Sequence, residues 1–349
     1  MTTETAEQGT ENELYEHWRF VVDKGQVPLR IDKYLMRRLE NSSRNKIQKA
    51  AQNDCIKVNG NSVKPNYKVK PSDVIQIFLT TEPHDSEIIP QDIPLDIVYE
   101  DEHLIIVNKP AQMVVHPAYG NYDGTLVNAL TYYFQNTPHN NAETKPLLVH
   151  RIDKDTTGLL VVAKTEQAQT KLAEQFFYHT IERTYTALVW GDSKEDSGTV
   201  QANISRDTAD RKRMAVCSED SGKHAVTHWQ VIERFGYTTL IRCKLETGRT
   251  HQIRVHMKSI GHPLFNDSTY GGNQILKGTT FTKYKQFILN CFDIIPRQAL
   301  HATTLGFEHP VTLQPMMFSS PLPSDMQQVI DKWRNYVINK ESYNQNQAL

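Results

Sequence analysis

The chain is sparing with the residues that staple small folds. Four cysteines, Cys55, Cys217, Cys243 and Cys291, are scattered over 349 residues with no C-x-x-C pair and no histidine at finger spacing. That pattern argues against a disulfide framework and a zinc site, and it reads as reduced, mostly buried thiols. Long apolar runs are also missing: the longest aliphatic one, LLVVA at 159–163, is far too short to cross a bilayer. The opening MTTETAEQGTENELYEHW is acidic and polar where a secretory leader needs a basic stretch before an apolar one. A cytoplasmic protein without membrane association is therefore expected. There is no G-x-G-x-x-G, no P-loop and no D-F-G, so HRID at 150–153 lacks the phosphate cradle of a kinase catalytic loop.

Net charge is nearly absent too, formally −1, which as an average speaks against a polyanionic partner. The distribution says otherwise. Residues 30–70 hold eleven basic side chains (Arg30, Lys33, Arg37, Arg38, Arg44, Lys46, Lys49, Lys57, Lys64, Lys68, Lys70) against three acids, a local excess of +8. Residues 82–102 then carry eight acids and no Lys or Arg. Such segregation sets the field that a phosphate backbone meets. Within the basic stretch, Ile31, Leu35 and Leu39 recur at helical spacing, and Asn41, Ser42 and Ser43 offer caps for a second helix with Ile47, Ala50 and Ala51. Strands follow around an Asn59-Gly60 turn and end in the alternation of residues 74–77. The order and residues of LRIDKYLMRRL, SRNKIQK and IKVNG resemble the small alpha-L, or S-four-type, RNA-binding domain. That resemblance implies contact with structured RNA through Arg30, Lys33, Arg37, Arg44 and Lys46.

Length favours two domains plus tails. Residues 1–26 read as a polar tail, 27–80 as the alpha-L domain, 81–95 as an acidic, proline-containing linker and 96–322 as a large domain. Residues 323–349 read as a short helix and polar tail. Strand runs such as GLLVVAKT, RTYTALVWG, HAVTHWQVIERF and TTLIRCKLETG dominate the large domain, with TLVNALTYYF and EQAQTKLAEQFFYHT helical between them. An α+β class with a mostly antiparallel, extended mixed sheet flanked by helices and loops follows.

Three segments of this domain could carry chemistry. HRIDKDTTG has the composition of a turn, yet His150 and Arg151 beside Asp153 put charge against a buried strand, which requires partners or a charged ligand. In LETGRTHQIRVHMKSIGHP, Thr250 can cap a helix bearing Ile253, Met257 and Ile260, which leaves Arg249 at the strand-to-helix junction. His251 and His256 are five apart rather than the four that put two ligands on one helical face, so no metal is expected. Tyr185 alternates along ERTYTALVWG. A ring near an acid and an arginine suits a nucleobase stacked on the ring with the acid facing its sugar. Asp153 and Asp155 are a poor glycosidase pair, since two residues' spacing does not set carboxylates astride a sugar.

VHRIDKDTTGLLVVAKT, ERTYTALVWG, AVTHWQV, LETGRTHQIRVHMKSIGHPL, DSTYGG and RQALHATTLGFEHP, in this order behind an alpha-L domain, resemble the RluA family of RNA pseudouridine synthases. The likeness covers residues 28 to 320 and is nearest its RluD-type branch, which acts on large-subunit ribosomal RNA. It implies a cofactor-free, metal-free isomerisation of uridine in structured RNA, with ribosomal RNA or a pre-ribosomal particle as partner and a monomer as the working expectation of oligomeric state. Transfer RNA as substrate and a non-catalytic assembly factor are the alternatives. By the same resemblance, Asp153 either attacks the anomeric carbon or removes a ribose proton, and Tyr185 stacks on the flipped uracil. Arg249 pairs with Asp153, Ile253 packs in the pocket and Arg151 helps prise the nucleotide from the stack. Ile152 stands where the family usually has Leu, and Asn266 where it often has Gly; Asn tolerates left-handed geometry.

Overall fold

The computed structural model describes residues 15–36, 38–39, 44–79, 88–118, 121–137, 144–210, 213–218 and 220–347, the last eight of these as backbone only. It divides into two units, Met1–Glu87 and Ile88–Leu349.

The first unit runs β1 (Tyr15–Val21), β2 (Leu29–Arg30), α1 (Ile31–Met36), α2 (Arg44–Gln52), β3 (Ile56–Val58), β4 (Asn61–Ser62), β5 (Lys68–Val69) and β6 (Val74–Leu79). An antiparallel sheet has the order β1-β6-β3-β4, and β2 pairs with β5. Ile31, Tyr34 and Leu35 of α1 and Ile47 and Ala51 of α2 turn onto Ile56, Val58, Ile75 and Ile77, as the helical and strand periods require. Asn59 and Gly60 both take positive φ, 50° and 82°, between β3 and β4, which suits the right-handed twist of a two-residue hairpin. The expected polar tail is corrected over 15–21. This segment is strand β1, paired with β6 from Tyr15↔Leu79 to Val21↔Val74. Its HWRFV core supplies backbone and alternating aromatic side chains to an edge, a signal diluted by the acidic residues before it.

The second unit begins with β7 (Ile97–Glu100), β8 (Leu104–Lys109), α3 (Leu126–Asn136), β9 (Leu147–Leu148), β10 (Thr157–Ala163), α4 (Glu166–Phe177) and β11 (Glu182–Trp190). It continues with β12 (Ser197–Gln201), β13 (Asn203–Arg206), β14 (Met214–Cys217), β15 (Val226–Arg234), β16 (Thr238–Leu245), α5 (Gln252–Ser259), α6 (Thr282–Ile294), β17 (Leu300–Glu308), β18 (Pro315–Ser319) and α7 (Ser324–Gln347). Among the described residues, the large sheet has the order β12-β15-β16-β11-β17-β10-β8-β7, with β18 on β17 and β9 on β10. β10 and β17 are parallel, and the other pairs are antiparallel. The α+β class and the mostly antiparallel mixed sheet are thus as the sequence suggests.

Both faces of the sheet are covered. All seven residues of β10 are buried. Leu160 and Val162 join Ile105, Val107, Leu126 and Phe134 on one side together with Ile253 and Met257 of α5. Leu159, Val161 and Ala163 join Ile106 and the α4 residues Ala168 and Leu172 on the other. A strand buried on two faces reads as an unbroken apolar run, which explains LLVVA.

Two boundary expectations change here. Residues 88–95 belong to this unit rather than to a linker: Gln91 N–H donates to the Asn128 carbonyl, Asn128 Nδ2 donates to that of Ile89, and Ile93 and Leu95 pack on the core. Residues 81–87 lie outside the described residues. The terminal segment is a 24-residue helix whose Met326, Val329, Ile330 and Trp333, at i, i+3, i+4 and i+7, are fully buried against Trp190, Phe265 and α6. Helix α6 and strands β12–β14 and β18 were not anticipated. Of the thiols, Cys243 and Cys291 are buried and Cys55 and Cys217 half-buried. Among the described residues no helix is long and apolar enough to cross a membrane.

The parallel contact of β10 with β17 pairs Thr157 with His301 and Gly158 with Ala302. Gly158 has φ +111°, and a Cβ there would lie 2.2 Å from the Ala302 carbonyl oxygen. Gly158→Ala should therefore cost about 3 kcal/mol or more. A urea-unfolding midpoint equal to that of the parent protein would show that the two strands are not held this closely.

Candidate active site

The chain between β9 and β10 turns tightly, with Thr156 N–H donating to the Asp153 carbonyl at 3.1 Å. Two buried cations hold this turn from beneath. Lys109, 1% exposed at the end of β8, donates from Nζ to the carbonyls of Pro110, Met113 and Lys154 at 2.7, 2.9 and 3.0 Å. Three ammonium protons meet three acceptors. Burial pushes this ammonium down to about 7, while Asp155 and Asp153 pull the other way. Arg297 donates from Nη1 to the Asp155 carbonyl at 3.0 Å and grips Asp325 through Nε and Nη2 at 2.8 and 2.9 Å. Asp155 therefore contributes its backbone to the turn. At the strand entry, the Thr157 hydroxyl meets His301 Nδ1 at 2.9 Å; burial pushes that imidazole down to about 4, so the ring is neutral.

Asp153 meets an arginine, but not the expected one. Arg254, in the first turn of α5, donates from Nη1 to Asp153 Oδ2 at 3.0 Å and from Nε and Nη2 to Asp267 at 2.7 and 2.9 Å. Asp267 is fully buried and also accepts the amides of Thr269 and Tyr270. Burial works against the charge of Arg254, and Asp267 followed by Asp153 more than reverse it, raising the guanidinium above the ordinary arginine value. Arg249 instead donates from Nε to the His224 carbonyl at 3.0 Å.

The start of α5 explains the exchange. Thr250 does not cap the helix; the N-cap is His251, in left-handed geometry with φ 57° and no side-chain cap bond. Gln252 orders the approach instead, its Oε1 accepting from Arg249 N–H and Thr247 Oγ1 at 3.0 and 2.7 Å. Arg249 is thereby left in the loop before the helix, and the helix carries Arg254 inward. His251 adds a second contact at Asp153. Tyr270 Oη accepts the Met214 N–H at 3.0 Å and shares a hydrogen bond with His251 Nδ1 at 2.8 Å. His251 Nε2 lies 3.9 Å from Asp153 Oδ2. Burial lowers the His251 pKa although Asp153 opposes it, so the ring is neutral at physiological pH.

A cavity of about 390 Å³ opens over these groups. Asp153, Tyr185, Ile253, Arg151 and Arg249 all line it, drawn from three distant segments. Arg151 is exposed at the rim. Tyr185 is 7% exposed on β11; burial raises its pKa, with Arg183 opposing and Asp153 adding, so the phenol is neutral. Ile253 is buried in the core beside it. Arg254, Arg183, His251 and Lys109 escaped sequence reasoning. The available signal was the acid in NDSTYGG, Asp267, which has to find a cation if it is buried.

In the first unit, Asp32 is fully buried on α1 and accepts from Arg30 Nε and Nη2, Arg44 Nε and Gln48 Nε2 at 2.8–3.1 Å. Burial works against its charge, and these hydrogen bonds hold its carboxyl well below the usual range. Arg30 and Arg44 thus serve the fold while remaining about two-fifths exposed, at 39% and 45%. Lys33 and Lys46 lie on the exposed surface. Arg37 lies outside the described residues.

The first unit presents exposed lysines and arginines and the second a carboxylate–guanidinium pocket, and comparison with known proteins gives the family to which such a chain belongs. Residues 103–259 match the family described as RNA pseudouridylate synthase, and residues 29–75 match the S4 domain. An uncharacterized RNA pseudouridine synthase of Chlorobaculum parvum is 45% identical over 92% of this chain and 99% of its own length. The Escherichia coli K12 protein named ribosomal large subunit pseudouridine synthase D is 44% identical, over 90% of this chain and 93% of its own. Among solved structures, human RNA pseudouridylate synthase domain containing 4 aligns with a TM-score of 0.53 at 21% identity, over 68% of this chain and 92% of that one, which speaks for the fold. The chain belongs to the RNA pseudouridine synthase family, whose members are isomerases.

The two arginines are separable by stability. Arg254→Gln leaves Asp267 buried without its cation and should cost about 3–5 kcal/mol. Arg249→Gln should stay within about 0.5 kcal/mol of the parent protein. Urea unfolding of both variants measures this, and the opposite ranking would reverse the assignment.

Proposed function

We propose that this protein converts uridines of large-subunit ribosomal RNA to pseudouridine in the cytoplasm, using Asp153 as the reacting carboxylate and no cofactor. The observation that carries the reading is the Asp153 carboxylate, 20% exposed, turned to the cavity while Arg254 holds one of its oxygens. One oxygen is thereby fixed and the other is free to act on the ribose. In the net reaction the C1′–N1 bond breaks, the uracil turns, C1′ bonds to C5, the C5 proton leaves and N1 gains a proton. Atoms balance without oxidant or energy source. A neutral Tyr185 ring suits stacking on the flipped base, with Ile253 packing beside it and Arg151 at the rim to hold the vacated stack, a step that costs a few kcal/mol. The ribosomal substrate is supported by relatives at 44% identity that are named ribosomal large subunit pseudouridine synthase D.

Asp153→Asn should abolish pseudouridine formation in unmodified large-subunit ribosomal RNA while leaving RNA binding intact. Equal pseudouridine from variant and parent, read by mass spectrometry of the digested RNA, would sink the proposal. The cationic surface of the first unit supports substrate binding through phosphates. The triple variant Lys33→Gln, Lys46→Gln, Lys49→Gln should flatten the slope of log affinity against log salt by about 2. An unchanged slope in filter binding would remove this surface from the RNA interface.

A further inference from the structure

Arg183, the second residue of β11, differs from every arginine described so far in the large unit. It is 8% exposed, its Nε is buried without a hydrogen-bond partner, and none of its nitrogens bonds or ion-pairs with a described residue. Arg254 and Arg297, by contrast, are occupied by carboxylates and carbonyls. The guanidinium of Arg183 lies over the Phe176 ring at 5.1 Å, and Phe176 in turn stacks on His150 at 4.6 Å. Stacking satisfies a face of the guanidinium and none of its N–H groups. Its edge is kept clear by Gly248, where a Cβ would come within 2.9 Å of Nη1. Arg183, Gly248, Phe176 and Tyr185 line the same cavity as Asp153.

A buried cation without a counter-charge is costly, and proteins retain one where a ligand supplies the charge. Asp153, the carboxylate lining this cavity, already faces Arg254. We infer that Arg183 is a phosphate-binding residue: its fork receives a phosphodiester of the RNA, adjoining the nucleotide whose base stacks on Tyr185, two residues and about 7 Å further along the strand. This rests on the reading of the cavity as the uridine site. A guanidinium matches two phosphate oxygens at once, and a base carbonyl would leave its charge uncompensated.

The test compares the parent protein with Arg183→Gln and Arg183→Lys on a transcript of large-subunit ribosomal RNA. Arg183→Gln should raise KM by roughly tenfold or more with a smaller fall in kcat, and Arg183→Lys should recover much of the loss. In an Asp153→Asn background, adding Arg183→Gln should lower the salt slope of binding by roughly 0.7–0.9, the share of one phosphate. Thermal unfolding separates a packing role: removing an unpaired buried charge should leave Tm unchanged or raised. An unaltered KM and slope, or a Tm several degrees lower, would overturn the assignment. Should the parent protein leave the transcript unmodified, the synthase reading falls, while the salt slope still decides whether Arg183 meets a phosphate.

Discussion

The guanidinium of Arg254 ties the turn that carries Asp153 to the rest of the second unit. Two of its nitrogens are committed to Asp267, whose carboxylate has no exposure, and the third faces Asp153, which is 20% exposed. That difference divides the work. Asp267 anchors the arginine in a place where neither charge can be abandoned, and Asp153 receives a fixed partner while keeping an edge toward the cavity. The left-handed turn at His251 and the side chain of Gln252 set where α5 starts, and so which arginine enters the pocket.

The turn carrying Asp153 is stiff because its carbonyls are spoken for. Lys109 takes that of Lys154 and Arg297 that of Asp155, each from a buried position at the edge of a different element. A loop satisfied in this way has few alternative conformations and holds the Asp153 carboxylate in one place at the cavity. The strand beyond it is pinned by the close approach of Gly158 to Ala302, so the pleat transmits the position of the sheet directly to the site.

Charge in the first unit is arranged by the same physics with a different outcome. Asp32 neutralises the inner sides of Arg30 and Arg44, allowing two cations to stand near one another over a small core. The composition signals a basic surface, whereas the buried acid decides how that surface is presented.

Much of the molecule was legible from local pattern. Helical spacing located α1 to α4, Asn59-Gly60 located its hairpin, and Asn266, with φ 56°, takes the left-handed geometry expected of it. The order of six motifs pointed to the family, and the turn residues around Asp153 pointed to the turn. Short strands such as β12–β14 and the edge strand β1 were not legible, because their stability comes from partners in the sheet rather than from their own sequence. Nor was the partner of Asp153. Residues 249 and 254 are both arginines in one motif, and what separates them is a helix start fixed by side-chain contacts. By itself the sequence determined the long periodic helices, the buried strands, the hairpin turn and the distribution of charge, because those depend on neighbours a few residues away. Only the tertiary structure decided that Arg254 meets Asp153 across 101 positions and that Arg183 finds no acid among the described residues, because burial and pairing depend on what the folded sheet brings together.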